Sequence, residues 1–228
     1  MLFALGSILL IVALNLRLTF GRFLQHLPEK EREISAENFK KYLGWIVRWK
    51  MSFLRLRTWD RVIDYLISWG KKNYPGWAFW VFLMLVLSYL YLALSGLFFA
   101  WFVPRGLFGF PLLLHVAAGA LFALSLTVFL FLKAKSYLPE TVEKKAGEPT
   151  QKGFYCPWLK KSLPRVYLQA ISFWVFSLAG FLLALSTLGS MLPYFNYPAQ
   201  IFFFNLHRWS AVASVLAVCL AIDVMIVE

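Results

Sequence analysis

Leu92-Ala93-Leu94-Ser95-Gly96-Leu97 and Leu183-Ala184-Leu185-Ser186-Thr187-Leu188 carry one pattern twice, each copy lying between a basic, proline-marked start and a histidine. The first copy opens at Lys71-Lys72-Asn73-Tyr74-Pro75 and reaches His115; the second opens at Lys160-Lys161-Ser162-Leu163-Pro164 and reaches His207. Ser95 precedes its histidine by 20 positions and Ser186 by 21, so the copies register almost residue for residue. A repeated helical hairpin is a paired architecture. Each copy crosses a membrane twice, so the copies share orientation about a pseudo-twofold axis along the membrane normal. Both imidazoles then lie at similar depth and face that axis.

Composition sets the class. Hydrophobic residues fill 61% of 228 positions and the apolar runs exceed 18 residues, which specifies an all-α polytopic membrane protein and excludes a soluble domain. Five transmembrane helices are expected, at 1–16, 77–103, 107–132, 166–192 and 199–227, the last four forming the duplicated hairpin. At about 1.5 Å per residue those four exceed a ~30 Å hydrocarbon core and must tilt or project beyond it. The organisation is an N-terminal anchor (1–20), a basic amphipathic segment (21–72), a first hairpin (73–135), a linker (136–164) and a second hairpin (165–228).

Orientation follows from positive charge, because short loops rich in Lys and Arg stay on the cytoplasmic side. Of 23 such residues, 13 fall in 17–72 and 8 in 133–165, leaving only Arg105 and Arg208 for the opposite side. The N-terminus is therefore expected outside and the C-terminus in the cytoplasm of a prokaryotic inner membrane. The net charge of +12 is a topology signal and does not imply nucleic-acid binding. The first segment lacks a basic start and a small-residue cleavage site, which favours a retained anchor.

Cys156 and Cys219 show no C-x-x-C spacing, so an iron-sulfur cluster or covalently attached haem is not expected and any cofactor is held by histidine or by shape. A histidine within hydrocarbon is expensive and marks function. Counted from Pro111 and Pro198, which suit helix first turns, His115 and His207 lie roughly 6 and 14 Å below the helix starts, both in the outer leaflet. Two imidazoles at matching depth suit the axial positions of one b-type haem. A quinone or proton site, and structural hydrogen bonding, are the alternatives. His26, among Arg22, Lys30 and Arg32, reads as a solvated interfacial residue.

Gly119 and Ala211 lie one turn beyond the two histidines, on the same helical faces, where a porphyrin edge needs clearance. Close helix packing also uses small residues in membranes. Arg208 and Arg105 are the two outer cations, and arginine pairs strongly with carboxylates such as haem propionates. Ordinary loop charge for Arg105 and snorkelling for Arg208 are the alternatives. In the first cytoplasmic loop, Ser35 and Thr58 are suited to cap helices that place Tyr42, Trp45, Trp49, Phe53, Tyr65 and Trp69 along apolar faces in the lipid interface. The second loop reads as a mobile linker.

Five helices, basic cytoplasmic loops and an intramembrane histidine followed by small residues resemble the haem b subunits of respiratory formate dehydrogenases, nitrate reductases, thiosulfate reductases and hydrogenases. Residues 77–227 carry the resemblance, which is one of layout. It implies a helix bundle that holds haem b and exchanges electrons between a quinone pool and partner redox centres, with the ligand role falling on His115 and His207. Many relatives hold two stacked haems with four ligands, whereas this bundle offers two histidines. His207-Arg208-Trp209-Ser210 is also similar to the histidine-arginine pair of succinate dehydrogenase membrane anchors.

The expected protein is thus the electron-transfer subunit of a multisubunit oxidoreductase. It holds one bis-histidine haem b, uses quinone as substrate, lies in lipid, and meets a redox subunit on the outer (periplasmic) face. Quinone is expected near an aromatic lining of Phe108, Phe110, Tyr194, Tyr197, Phe202 and Phe203. A haem-free anchor of a respiratory complex and a small transporter with its site at the repeat interface are the alternatives.

Overall fold

A computed structural model describes residues 2–25, 40–43, 67–68, 70–74, 76–103, 108–147, 153–156 and 161–226. The chain is dominated by helices: α1 (Leu2–Gln25), α2 (Trp77–Phe102), α3 (Gly109–Lys133), the short α4 (Pro139–Ala146), α5 (Arg165–Met191) and α6 (Tyr197–Ile226). A 3₁₀ turn, Ala134–Tyr137, joins α3 to α4, and two four-residue strands, β1 (Gly153–Cys156) and β2 (Lys161–Pro164), pair antiparallel before α5. Four helices are long and apolar enough to cross a membrane and mark the chain as an integral membrane protein. The fifth expected span coincides with α1, whose apolar part, Phe3–Arg17, is shorter.

Helix starts follow local chemistry. Asn196 Oδ1 accepts the Ala199 N–H at 3.1 Å and caps α6, with Pro198 in the first turn where a missing N–H does no harm. Gly76, at φ 63°, supplies the left-handed residue that starts α2. Pro139 opens α4, with Glu140 in its first turn and Lys144 and Lys145 in its last, matching the helix dipole.

The bundle inverts the soluble pattern. Phe131, 86% exposed, and Leu94, Leu124, Leu178 and Phe181 face outward, while Ser88, Ser125, Ser172, Ser177, Ser186 and Ser214 are buried. Hydrocarbon offers no hydrogen-bond partner, so such hydroxyls must bond inside the bundle. Ser88 donates to Met84 O at 2.7 Å, Ser177 to Phe173 O at 2.7 Å and Ser214 to Ala211 O at 2.8 Å. An aromatic core of Tyr74, Phe122, Phe129 and Phe173 ties α2, α3 and α5 together at the end where α3 passes into α4. Lys133 braces that end, donating to Asn73 O at 3.2 Å and covering the Tyr74 ring at 4.3 Å.

α1 runs parallel to α6. Its first turn sets Phe3 edge-on to Trp209, at 5.2 Å, while Asn15, twelve residues on, donates to Cys219 Sγ at 3.7 Å. Trp101, at the far end of α2, donates to Ser7 at 3.0 Å. The chain start therefore lies at the same end of the bundle as the α2–α3 and α5–α6 connections.

Two sequence expectations change. The anchor helix was expected to end at residue 16, but α1 continues to Gln25 because Tyr42 packs on its last turns. The Tyr42 hydroxyl bonds Thr19 Oγ1 at 2.5 Å and donates to Leu16 O at 3.0 Å, and Phe20 and Phe23 stand 5.1 and 5.9 Å from its ring. The linker 136–164, expected to be mobile, contains α4, docked through Val142 on Val166 and Ala170. Of the amphipathic segment, only residues 40–43 and a few before α2 are described. His26, Arg105 and the Trp45, Trp49, Phe53 and Tyr65 faces lie outside the described residues.

Helix approach depends on two glycines. A Cβ on Gly180 would overlap Leu126 Cδ2 of α3, and one on Gly189 would come within 2.7 Å of the Phe203 ring of α6. Gly180→Leu should therefore destabilise the bundle by about 1–3 kcal/mol, the usual result of overpacking. Gly6→Ala, whose Cβ meets nothing within 4 Å, should not destabilise, since alanine suits a helix interior better than glycine. Thermal unfolding in one detergent compares the two, and equal transitions would contradict this packing.

Candidate functional site

α2 and α3, with α5 and α6, enclose a cavity of about 310 Å³, at the lower end of the usual range for ligand pockets. His115 of α3 and His207 of α6 both line it, as do Gly119, Ala211, Arg208 and Tyr89. The helices themselves place them there. His115 stands six residues inside α3 and His207 ten inside α6, about 9 and 15 Å along axes that start at the same end of the bundle.

Each imidazole is held at Nδ1 by the preceding antiparallel helix. His115 Nδ1 meets Ser95 Oγ at 2.9 Å. Ser95 Oγ also lies 2.7 Å from Tyr91 O; with its hydrogen given to that carbonyl, it is an acceptor toward an imidazole protonated at Nδ1. His207 Nδ1 meets Thr187 Oγ1 at 3.1 Å and both Ser186 Oγ and Leu183 O at 3.3 Å. A carbonyl only accepts, so Nδ1 is again the donor. In a neutral imidazole with hydrogen on Nδ1, Nε2 carries a lone pair. With hydrogen on Nδ1, each of the two cavity-lining rings keeps Nε2 as its lone-pair nitrogen, the atom a metal would take.

Ser95 and Thr187 stand at the same 20-residue offset from their histidines. The sequence pattern pairs Ser95 with Ser186 at 21; in the folded chain the closer hydroxyl to His207 is Thr187. That role went unread in the sequence, although the repeated offset was there to find.

The small residues separate into two kinds. A Cβ on Gly119 would meet nothing within 4 Å, so this glycine opens onto cavity space and is not required for helix packing. A Cβ on Gly96 would come 3.3 Å from His115 Cε1, so that glycine seats the ring. Ala211 lines the wall beside them.

Arg208 Nε is buried without a hydrogen-bond partner, while its guanidinium carbon lies 4.0 Å from the Phe3 ring and 5.3 Å from that of Phe204. Two aromatic faces position the cation at the cavity wall, with its buried Nε still lacking an acceptor. Phe3 makes α1 part of this wall, a contribution the sequence reading assigned only to anchoring. Arg105, the other expected anion partner, is outside the described residues.

Other expected residues do not converge here. Phe108, Phe110, Tyr194, Tyr197 and Phe202 are exposed, Phe203 packs on Gly189, and none of the six lines the cavity. Tyr89 closes the inner end instead, its hydroxyl 3.2 Å from Ser214 Oγ. No cluster of three or more His, Cys, Asp or Glu occurs among the described residues, so the nitrogen donors at the cavity are its two imidazoles.

Filling the cavity should be separable from breaking the bundle. Gly119→Leu places a side chain in open space and should shift stability by less than about 1 kcal/mol, well below the effect of Gly180→Leu. Thermal unfolding of both variants checks this, and a large loss in Gly119→Leu would show that the space is not there.

No protein-family model, curated protein or solved structure matches the chain.

Proposed function

We propose that this chain is a membrane-embedded b-type cytochrome subunit that holds one haem b between His115 and His207. It passes electrons between a quinone pool and a redox partner on the outer (periplasmic) face. In this reading the chain crosses the inner membrane five times, N-terminus outside and C-terminus in the cytoplasm. Residues 73–135 and 165–228 are the two copies of a duplicated hairpin.

One observation carries the proposal: two intramembrane imidazoles, each held at Nδ1 by a neighbouring helix, line one apolar cavity, which leaves Nε2 of each ring to serve as a ligand. Histidine ligands of metals are held in this way, with the second nitrogen donating to a fixed acceptor. The surroundings suit the same group. Gly119 and Ala211 leave room for a flat macrocycle, and the unpartnered Nε of Arg208 suits a propionate. A six-coordinate haem supplies a one-electron couple with no position left for substrate. The chain's own part is to fix both ligands, exclude water with Leu and Phe, and place a positive charge at the outer end. The division of basic residues, 21 toward one side and two toward the other, supports the orientation.

The purified wild-type protein should show a sharp reduced α-band at stoichiometric haem, and His115→Ala or His207→Ala should abolish it. Arg208→Gln should retain haem but lower its midpoint potential, because loss of a nearby positive charge favours the oxidised iron. Absence of any haem band in the wild type would leave the haem-free anchor or the transporter.

Orientation is tested separately. A cysteine replacing the exposed Tyr194 should react with an impermeant thiol reagent from outside, and one replacing Gly147 should not. The opposite labelling would reverse the topology and move the cavity toward the cytoplasm.

A further inference from the structure

We infer that Ser95 is the positioning residue that alone sets the ring orientation and tautomer of His115, whereas His207 is secured redundantly, so the two imidazoles are chemically unequal. The tautomer argument stands on geometry alone; its consequence for cofactor loading rests on the cytochrome reading.

At His115, Ser95 Oγ is the one hydrogen-bond partner of Nδ1 among the described residues, at 2.9 Å. That hydroxyl is itself oriented. Tyr91 O is its nearest acceptor at 2.7 Å, with Leu92 O more distant at 3.4 Å, and a hydrogen given to Tyr91 O leaves a lone pair for the imidazole. Without it, the Nδ1–H would be stranded in hydrocarbon, where an unpaired donor is strongly disfavoured. The ring would then turn, or move its hydrogen to Nε2, to find another acceptor. Gly96 contributes only shape, by leaving room for Cε1.

At His207 three acceptors converge. Leu183 O lies 3.3 Å from Nδ1, and the hydroxyls of Ser186 and Thr187 both donate to that carbonyl, at 3.0 and 2.8 Å, while accepting from the ring. Loss of one hydroxyl leaves the carbonyl and the other. Leu183 O also serves several donors at once, and its bond to the ring is longer than that of Ser95, so His115 has the shorter single bond and His207 the distributed one. In the cytochrome reading, the ligand with one replaceable support is His115.

The test uses the full-length chain in lipid bilayers, labelled with ¹⁵N-histidine, from haem-limited cells. A His26→Asn background leaves only the two membrane imidazoles. Ring-nitrogen NMR should show the hydrogen on Nδ1 in both rings. Ser95→Ala should shift His115 to the Nε2–H form or to a mixture, Ser95→Thr should restore it, and Thr187→Val should leave His207 unchanged. In haem-replete preparations Ser95→Ala should weaken haem retention about 10-fold, the lower end of the effect of removing a ligand's hydrogen-bond partner, with Thr187→Val unaffected. Persistence of Nδ1–H at His115 in Ser95→Ala, or equal effects of Ser95→Ala and Thr187→Val, would overturn the inference. Expected tautomers without haem in any preparation would uphold it and sink the cytochrome reading alone.

Discussion

Hydrocarbon cannot hydrogen-bond, and the buried hydroxyls of the four long helices are arranged around that fact. Buried serines return their hydrogens to carbonyls three or four residues earlier in their own helices. The same satisfaction then becomes useful. A hydroxyl whose hydrogen is already committed to its own helix is an acceptor of fixed direction, and Ser95, Ser186 and Thr187 use that direction to orient an imidazole on the next helix. The histidine geometry is thus an extension of how this bundle handles any hydroxyl.

Space in the bundle is governed by where side chains are absent. Gly180 and Gly189 bring α5 against α3 and α6, and their Cβ positions are filled by Leu126 and Phe203. Gly119 faces open volume beside His115. A tight contact on one side of the bundle and a void on the other leave an apolar cavity near the end where the chain begins. Its walls carry Arg208, steadied by Phe3 of α1 and Phe204 of α6. A cation held by aromatic faces keeps its donors free, whereas one in an ion pair would not. The first helix therefore shapes the site as well as extending the bundle.

The two halves of the proposed repeat are alike in plan and unlike in detail. Each has a histidine near the start of one helix and a hydroxyl twenty residues earlier, near the end of the preceding one. The second half adds Ser186 and a shared carbonyl. Such asymmetry is what a duplicated hairpin would accumulate once its copies met different neighbours, as α6 does where α1 lies against it.

Much of this was legible along the chain. Apolar runs longer than 18 residues gave the membrane class, and those runs with Pro111 and Pro198 placed the starts of the four long helices within a few residues. The near-equal spacings of 20 and 21 residues from Ser95 and Ser186 singled out the histidines, because helices of fixed rise joined by short turns bring such positions to one level. Gly119, Ala211 and Arg208 were legible as neighbours of the two histidines. Only the tertiary structure decided the rest, since it depends on which faces meet. It turned Phe3 onto Arg208, chose Thr187 as the nearer partner of His207, made Gly119 cavity and Gly180 contact, and left the expected aromatic lining on the outside. Helical periodicity determines which residues share a face, but the rotation of one helix against another is set by packing across the whole interface, and no local stretch of sequence contains it.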